Sequence, residues 1–293
     1  MMLTFRQRLA SNTIIGDGGW GALLGDRGLP AGAAPERWTL EKPEIIEEIA
    51  RAYVDARAEL ITTNTFGGSP IRLAQHRLGD RVEEINRRAV EIVRKAAAGR
   101  AFVSASIGPT GRLLAPLGDA DPADVERGFA QQAGVLVDAG ADLVCIETMT
   151  DLEEALLAVR AVRSVSAEIP VIATMTFDLT PRGPFTVMGV SVPQAAGALA
   201  AAGADVVGSN CGAGVEEMLV VAEAFLACAN VPVAIQPNAG LPLLKDGRLT
   251  YPDSPARFAE AVAPLAARGV RILGGCCGTT PAHIHALRER VGR

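Results

Sequence analysis

Eight short apolar runs punctuate the chain, at residues 13–16, 60–63, 101–107, 143–147, 171–177, 206–209, 231–235 and 270–273. Each is rich in Val and Ile and lacks the strict alternation of a half-exposed strand, which predicts strands buried on both faces of a parallel sheet. The stretches between them carry helical signals. Asp121-Pro122 reads as an N-cap and first-turn proline, followed by Val125, Phe129, Ala133, Leu136 and Val137 on one stripe and a stop at Gly140. Thr280-Pro281 opens a last helix in the same way. Asp138-Ala-Gly140-Ala-Asp142 and Ala201-Ala-Gly203-Ala-Asp205 repeat one junction, with Ala267-Arg-Gly269-Val as a looser copy. Such glycines end a helix and feed the next strand.

Eight strand–helix units in 293 residues average about 37 residues each, the scale of a (β/α)8 barrel. Two Rossmann-type halves would alternate likewise, but no GxGxxG follows the first run and no polar, proline-rich linker divides the chain. The expectation is an α/β fold, a single (β/α)8 TIM-type barrel over residues 1–293. Gly 31 and Pro 18 fit many tight connections between short elements.

Charge narrows the partners. Twenty-eight basic and 33 acidic side chains give a net charge of −5, against a nucleic-acid-binding face. The longest uncharged stretch, 183–204, is interrupted by Pro184, Ser191, Pro193 and Gln194, so it does not read as a membrane span. Phe5-Arg-Gln-Arg-Leu9 lacks the apolar region of a secretory signal. A soluble, cytoplasmic protein acting on a small neutral or zwitterionic molecule is expected.

Barrel chemistry sits where strands end at the C-terminal face. Those positions hold Asp17, Asn64, the 108–111 loop, Glu147, Asn210-Cys211, Gln236-Pro-Asn238 and the glycine-rich 274–279 loop. Three of the five cysteines, Cys211, Cys276 and Cys277, thereby meet at one face. An odd count with two neighbours suits no disulfide framework. Three thiolates offer one Zn2+ a soft ligand set with an open fourth position, the mark of a catalytic rather than a closed structural site. Cys145, inside a strand, and Cys228, near a helix end, read as packing residues; His76, His283 and His285 read as helix-surface residues.

A zinc carrying three thiolates activates water poorly but can hold an incoming thiol as thiolate. The fitting reaction is alkyl transfer to sulfur. Asp17 and Glu147 at the barrel mouth call for a substrate ammonium between them, and the backbone at Gly18-Gly19 could receive a carboxylate. An amino-acid thiol satisfies both ends.

Gly16-Asp-Gly-Gly19, Thr63-Asn-Thr-Phe66-Gly, Ile107-Gly-Pro-Thr-Gly111, Glu147-Thr, Met175-Thr-Phe-Asp178, Gly208-Ser-Asn-Cys211, Gln236-Pro-Asn-Ala-Gly240 and Gly274-Gly-Cys-Cys-Gly-Thr-Thr280 together resemble the homocysteine S-methyltransferase family. The similarity is strongest to the homocysteine-binding barrel of cobalamin-dependent methionine synthase. The resemblance implies zinc on Cys211, Cys276 and Cys277, homocysteine sulfur as exchangeable ligand, amino-group recognition by Asp17 and Glu147, and carboxylate recognition at Gly18-Gly19. Asn238 matches a family asparagine near the metal, a weak oxygen ligand when substrate is absent. The implied product is methionine. One departure is Ala22, where methionine-synthase-type motifs commonly carry threonine.

No cobalamin-binding motif is visible. The methyl donor is therefore expected to be a separate corrinoid or folate protein, or a small sulfonium or ammonium compound such as S-methylmethionine, S-adenosylmethionine or betaine. Two other readings stand beside this one: a subunit that only binds and presents the thiol to a corrinoid partner, and a barrel isomerase or lyase whose 274–280 loop cradles phosphate.

Overall fold

A computed structural model of the chain describes residues 3–212, 214–245 and 248–292. The apolar runs become eight parallel barrel strands: β1 (Ile14–Ile15), β2 (Leu60–Thr62), β3 (Phe102–Ile107), β4 (Leu143–Met149), β5 (Val171–Met175), β6 (Val206–Asn210), β7 (Val233–Gln236) and β8 (Ile272–Leu273). They pair in sequence order, and β1 lies beside β8. The ring closes through a parallel bridge between Gly16 and Leu60, flanked by bonds from Glu59 N–H to the Ile15 carbonyl at 2.6 Å and from Asp17 N–H to the Leu60 carbonyl at 3.0 Å. The architecture is an α/β TIM-type barrel.

The expected helix punctuation is present. Asp121 caps the helix Pro122–Asp138 by accepting the Ala123 N–H at 2.8 Å, and Val125, Phe129, Ala133 and Leu136 are buried. Gly140, Gly203 and Gly269 all take positive φ, at 90°, 108° and 105°, the left-handed turn that lets a helix end and a strand begin. At the two closest copies of this junction the following aspartate does further work: Asp142 accepts the Val103 N–H and Asp205 the Val171 N–H, each from the adjacent strand.

Side chains alternate across each strand, and inside the barrel their polarity changes with height. The lower layer is apolar: Ile14, Leu60, Phe102, Leu143, Ile172 and Val206 pack together with Cys145 and the N-terminal helix Phe5–Ser11. Phe5 meets Phe102 edge-on at 5.8 Å. Two residues further up the same strands stand Thr62, Ser104 and Thr174, and above them Ser106, Glu147 and Asn210. The outer face of the sheet packs against the helices in a separate, larger apolar cluster that includes Ile61, Val103, Val144 and Val207. A dry base under a polar upper interior places the chemistry at the C-terminal end.

Three features depart from the sequence reading, the first being Cys228, which is exposed rather than packed, its Sγ 3.1 Å from the Ala224 carbonyl. The chain forms short antiparallel hairpins at Asp178–Thr180 with Gly183–Phe185 and at Leu243–Lys245 with Arg248–Thr250, following β5 and β7. His283 is buried rather than on a helix surface: its Nε2 lies 2.9 Å from the Asp253 carbonyl and its Nδ1 2.9 Å from Thr280 Oγ1. No helix among the described residues is long and apolar enough to cross a membrane.

Candidate metal centre

Cys211 follows β6 with φ at 62°, and Gly212 continues at 67°. Left-handed backbone is unfavourable for a residue with a side chain, so this turn is held by its surroundings. Cys211 N–H donates to the Gln236 carbonyl at 3.1 Å, while Asn238 Nδ2 donates to the Gly212 carbonyl at 3.0 Å. The oxygen of the same amide, Asn238 Oδ1, accepts the Cys277 N–H at 3.0 Å. One buried side chain thus ties the two cysteine loops together. The second loop is fixed further by Gly275 N–H to the Asp17 carbonyl at 2.9 Å and Cys276 N–H to the Pro237 carbonyl at 2.8 Å.

The result is a cluster in which the Cys211, Cys276 and Cys277 sulfurs all lie within 4.8 Å of one another, with Cys211 and Cys277 at 3.7 Å. Tetrahedral zinc with sulfur at about 2.3 Å requires sulfurs about 3.8 Å apart. The donor set therefore fits such an ion without rearrangement of that pair. Left to themselves, three adjacent thiols share charge poorly. Hydrogen bonds from Cys211 and Cys276 bring Cys277 down to about 3, and the same sharing pushes Cys276 well up. A cation would allow the remaining thiols to ionise.

Across the mouth, Asp17 is buried beneath three donors: Thr62 N–H at 2.8 Å, Thr62 Oγ1 at 2.8 Å and Trp20 Nε1 at 3.0 Å. Burial nevertheless lifts its carboxyl to about 6. Glu147 accepts the Ser106 hydroxyl at 2.6 Å; burial, with further repulsion from Asp17 and Cys211, raises it to about 7. A positive charge placed beside the two carboxyls would lower both. Thr148, immediately after Glu147, has φ at 60°, where β4 is irregular between Ile146 and Met149.

A cavity of about 620 Å³ connects these groups; its wall includes Asp17, Gly18, Gly19, Glu147 and all three cysteines. The structure thus gathers Asp17, Gly18, Gly19, Glu147, Cys211, Cys276 and Cys277 around one space, with Asn238 bracing it from behind. Gly19 packs so closely that a Cβ there would fall 2.6 Å from the Cys276 carbonyl. Its N–H already donates to Thr279 Oγ1 at 3.0 Å, so a ligand carboxylate at Gly19 would have to displace that hydroxyl. Sequence reasoning missed Phe66, His76 and Tyr251 on the cavity wall. They stand on loops and a short helix end, where no periodicity reveals direction. Trp20 lines the cavity, and its ring lies against Tyr53.

The glycine-rich loop does not form a phosphate cradle. The N–H groups of Gly274, Gly275, Cys276, Cys277, Thr279 and Thr280 all donate to protein acceptors, whereas anion-binding loops aim theirs outward.

The fold and this site define a TIM-type barrel whose mouth carries a three-thiol cluster able to hold a metal ion, facing the carboxyl groups of Asp17 and Glu147. The chain belongs to the homocysteine S-methyltransferase family, whose model matches residues 14–291. It is 33% identical to a methionine synthase of Mycobacterium leprae and 32% identical to one of Mycobacterium tuberculosis, over 98% and 97% of its own length. It spans only 25% of each of those relatives. In shape it is similar to the homocysteine methyltransferase MmuM from Escherichia coli in its metallated form, with a TM-score of 0.81, 23% identity and coverage of 97% of this chain and 99% of that one.

Proposed function

We propose that this chain is a zinc-dependent methyltransferase that converts homocysteine to methionine. The observation that carries the reading is the set of three convergent sulfurs within 4.8 Å of one another, two of them at the 3.7 Å that suits tetrahedral zinc, facing Asp17 and Glu147 across one cavity. Family membership and the methionine synthase relatives support the substrate, and the metallated E. coli neighbour supports the metal.

Cys211, Cys276 and Cys277 would hold the ion. When bound, zinc lowers the pKa of the substrate thiol and keeps it as thiolate near neutral pH. The chain's own residues do the rest. Asp17 and Glu147 take the substrate ammonium, whose charge draws both carboxyls down from their raised values into the ionised state. The loop at Gly18, Gly19 and Thr279 meets the carboxylate end. With both ends fixed, the sulfur is aimed at the open mouth, and proximity supplies much of the rate. A sulfur lone pair then attacks the donor methyl carbon; the new S–C bond forms as the old bond breaks, and the leaving group departs with its electron pair.

The experiment is a donor screen on the purified chain with zinc and homocysteine, following methionine by mass spectrometry. Free methylcobalamin, S-methylmethionine, S-adenosylmethionine and betaine are offered separately. Methionine formed with at least one donor and lost on chelation is expected; a folded chain that binds no zinc and no homocysteine contradicts the reading.

A second reading, delivery of the methyl group on a protein partner, is favoured by one observation. Large apolar side chains stand exposed on the loops around the mouth, among them Leu117 at 71%, Val187 at 72% and Leu244 at 75% exposure. Such a rim suits a protein surface better than a small polar donor. Turnover only when a methyl-carrying corrinoid or folate protein is supplied would favour it.

A further inference from the structure

A methyltransferase that activates one sulfur next to three others faces a selectivity problem: Cys211, Cys276 and Cys277 are nucleophiles of the same element at the same ion. Charge density on each sulfur decides which one is alkylated. The buried residue before Cys211 bears on this. Asn210, 1% exposed, is the last residue of β6, and its side chain points into the barrel above Val206 and Gly208. Its Oδ1 accepts the Thr148 N–H at 2.8 Å and the Thr174 hydroxyl at 2.7 Å. Its Nδ2 donates to Thr148 Oγ1 at 2.7 Å. The remaining N–H points to Cys276 Sγ at 3.7 Å. Three short bonds fix the amide plane, so the direction of the fourth is not free to vary.

We propose that Asn210 is a positioning residue of the metal centre, whose Nδ2–H bond draws charge from Cys276 Sγ and protects that sulfur from methylation. The same side chain fixes the strained Thr148 turn, so it links the sulfur cluster to the strand end that carries Glu147. Partners that hydrogen-bond to metal-ligating side chains commonly orient them and set their electron donation. The inference rests on the zinc reading above and concerns a residue outside the ligand set.

The test uses the metal-loaded chain and two readouts other than turnover. Zinc-loaded protein is treated with iodoacetamide without homocysteine; a new S–C bond forms as iodide leaves with the bonding pair, and the modified cysteine is located by mass spectrometry. Asn210→Ala removes the donor, and Asn210→Asp replaces it with an oxygen while keeping the acceptor for Thr148 and Thr174. Loss of one net hydrogen bond predicts about fivefold faster alkylation at Cys276, without a matching rise at Cys211 or Cys277. Thr174→Val, which takes away a hydrogen bond to the same amide but not its N–H toward sulfur, is expected to stay within about twofold. In Co2+-loaded protein, both Asn210 variants are expected to move the sulfur-to-metal charge-transfer band to lower energy. Metal content is measured on the same samples. Unchanged alkylation and an unchanged band in folded, metal-loaded Asn210→Asp overturn this inference alone; a chain that takes up neither metal overturns the zinc reading beneath it.

Discussion

Replacing Glu147 by glutamine separates what the buried carboxylate costs the fold from what it does for the substrate. Glutamine keeps the shape and an oxygen for the Ser106 hydroxyl, which sits 2.6 Å away, but never ionises. Burial raises Glu147 from 4.5 to about 7, which at 1.36 kcal/mol per decade is about 3 kcal/mol at most, since the group borders the cavity. Because its folded-state value is the higher one, the folded chain keeps a proton that the unfolded chain has released between about pH 4.5 and 7, so this group makes stability fall as pH rises through that window. Without substrate, Glu147→Gln is expected to match the unmodified chain near pH 4.5 and to be more stable at pH 8.5, by up to about 3 kcal/mol. Urea unfolding at both values measures this. Homocysteine binding should move the other way, weakening about 30-fold or more through loss of one partner of a desolvated charge pair. The analogue 4-mercaptobutyrate, which has the thiol and carboxylate but no ammonium, should bind both proteins alike. A variant less stable at pH 8.5, or one that still prefers homocysteine as strongly as the unmodified chain does, would refute the assigned role.

Other outcomes follow from the same geometry. Cys211→Ser removes one of three sulfurs within 4.8 Å and is expected to lower zinc content below half an equivalent, or at least its affinity by more than about 100-fold, with the far-ultraviolet dichroism unchanged. Asn238→Ala cuts the bridge between the Gly212 carbonyl and the Cys277 N–H; zinc affinity should fall about 10- to 100-fold in a chelator competition. The kcat/KM for homocysteine should decline as pH drops below about 7, where Glu147 protonates, and more steeply below about 6, where Asp17 joins it; a flat profile from pH 8 to 5.5 would count against the carboxylate pair.

Much of the barrel is legible because parallel strands buried on both faces are apolar over most of their length, with polar residues confined to the upper interior. Runs such as 101–107 and 143–147 therefore stand out from amphipathic helices. The hairpins at Asp178–Thr180 and Leu243–Lys245 do not, since they belong to the rim, where no core demands a pattern. The cysteines, Asp17 and Glu147 are legible because their chemistry is unusual at strand ends. Asn238 is found by position, but the structure shows its amide bonded to both cysteine loops, a partner choice that spacing cannot supply. Asn210 was within reach: counting in twos from Val206 places it inside the barrel, where a polar side chain needs partners. His283 departs from its surface reading because it lies on the inward face of its helix with Ile284 and Leu287, where its ring meets the Asp253 carbonyl.

Cys211, Cys276 and Cys277 are expected to gather one zinc ion and leave a place for the substrate sulfur. Zinc K-edge X-ray absorption on the purified chain, with and without homocysteine, tests it directly. One zinc per chain with three sulfur neighbours at about 2.3 Å is expected, rising to four when homocysteine is added. A zinc shell with fewer than three sulfurs, or one that homocysteine leaves unchanged, would contradict it.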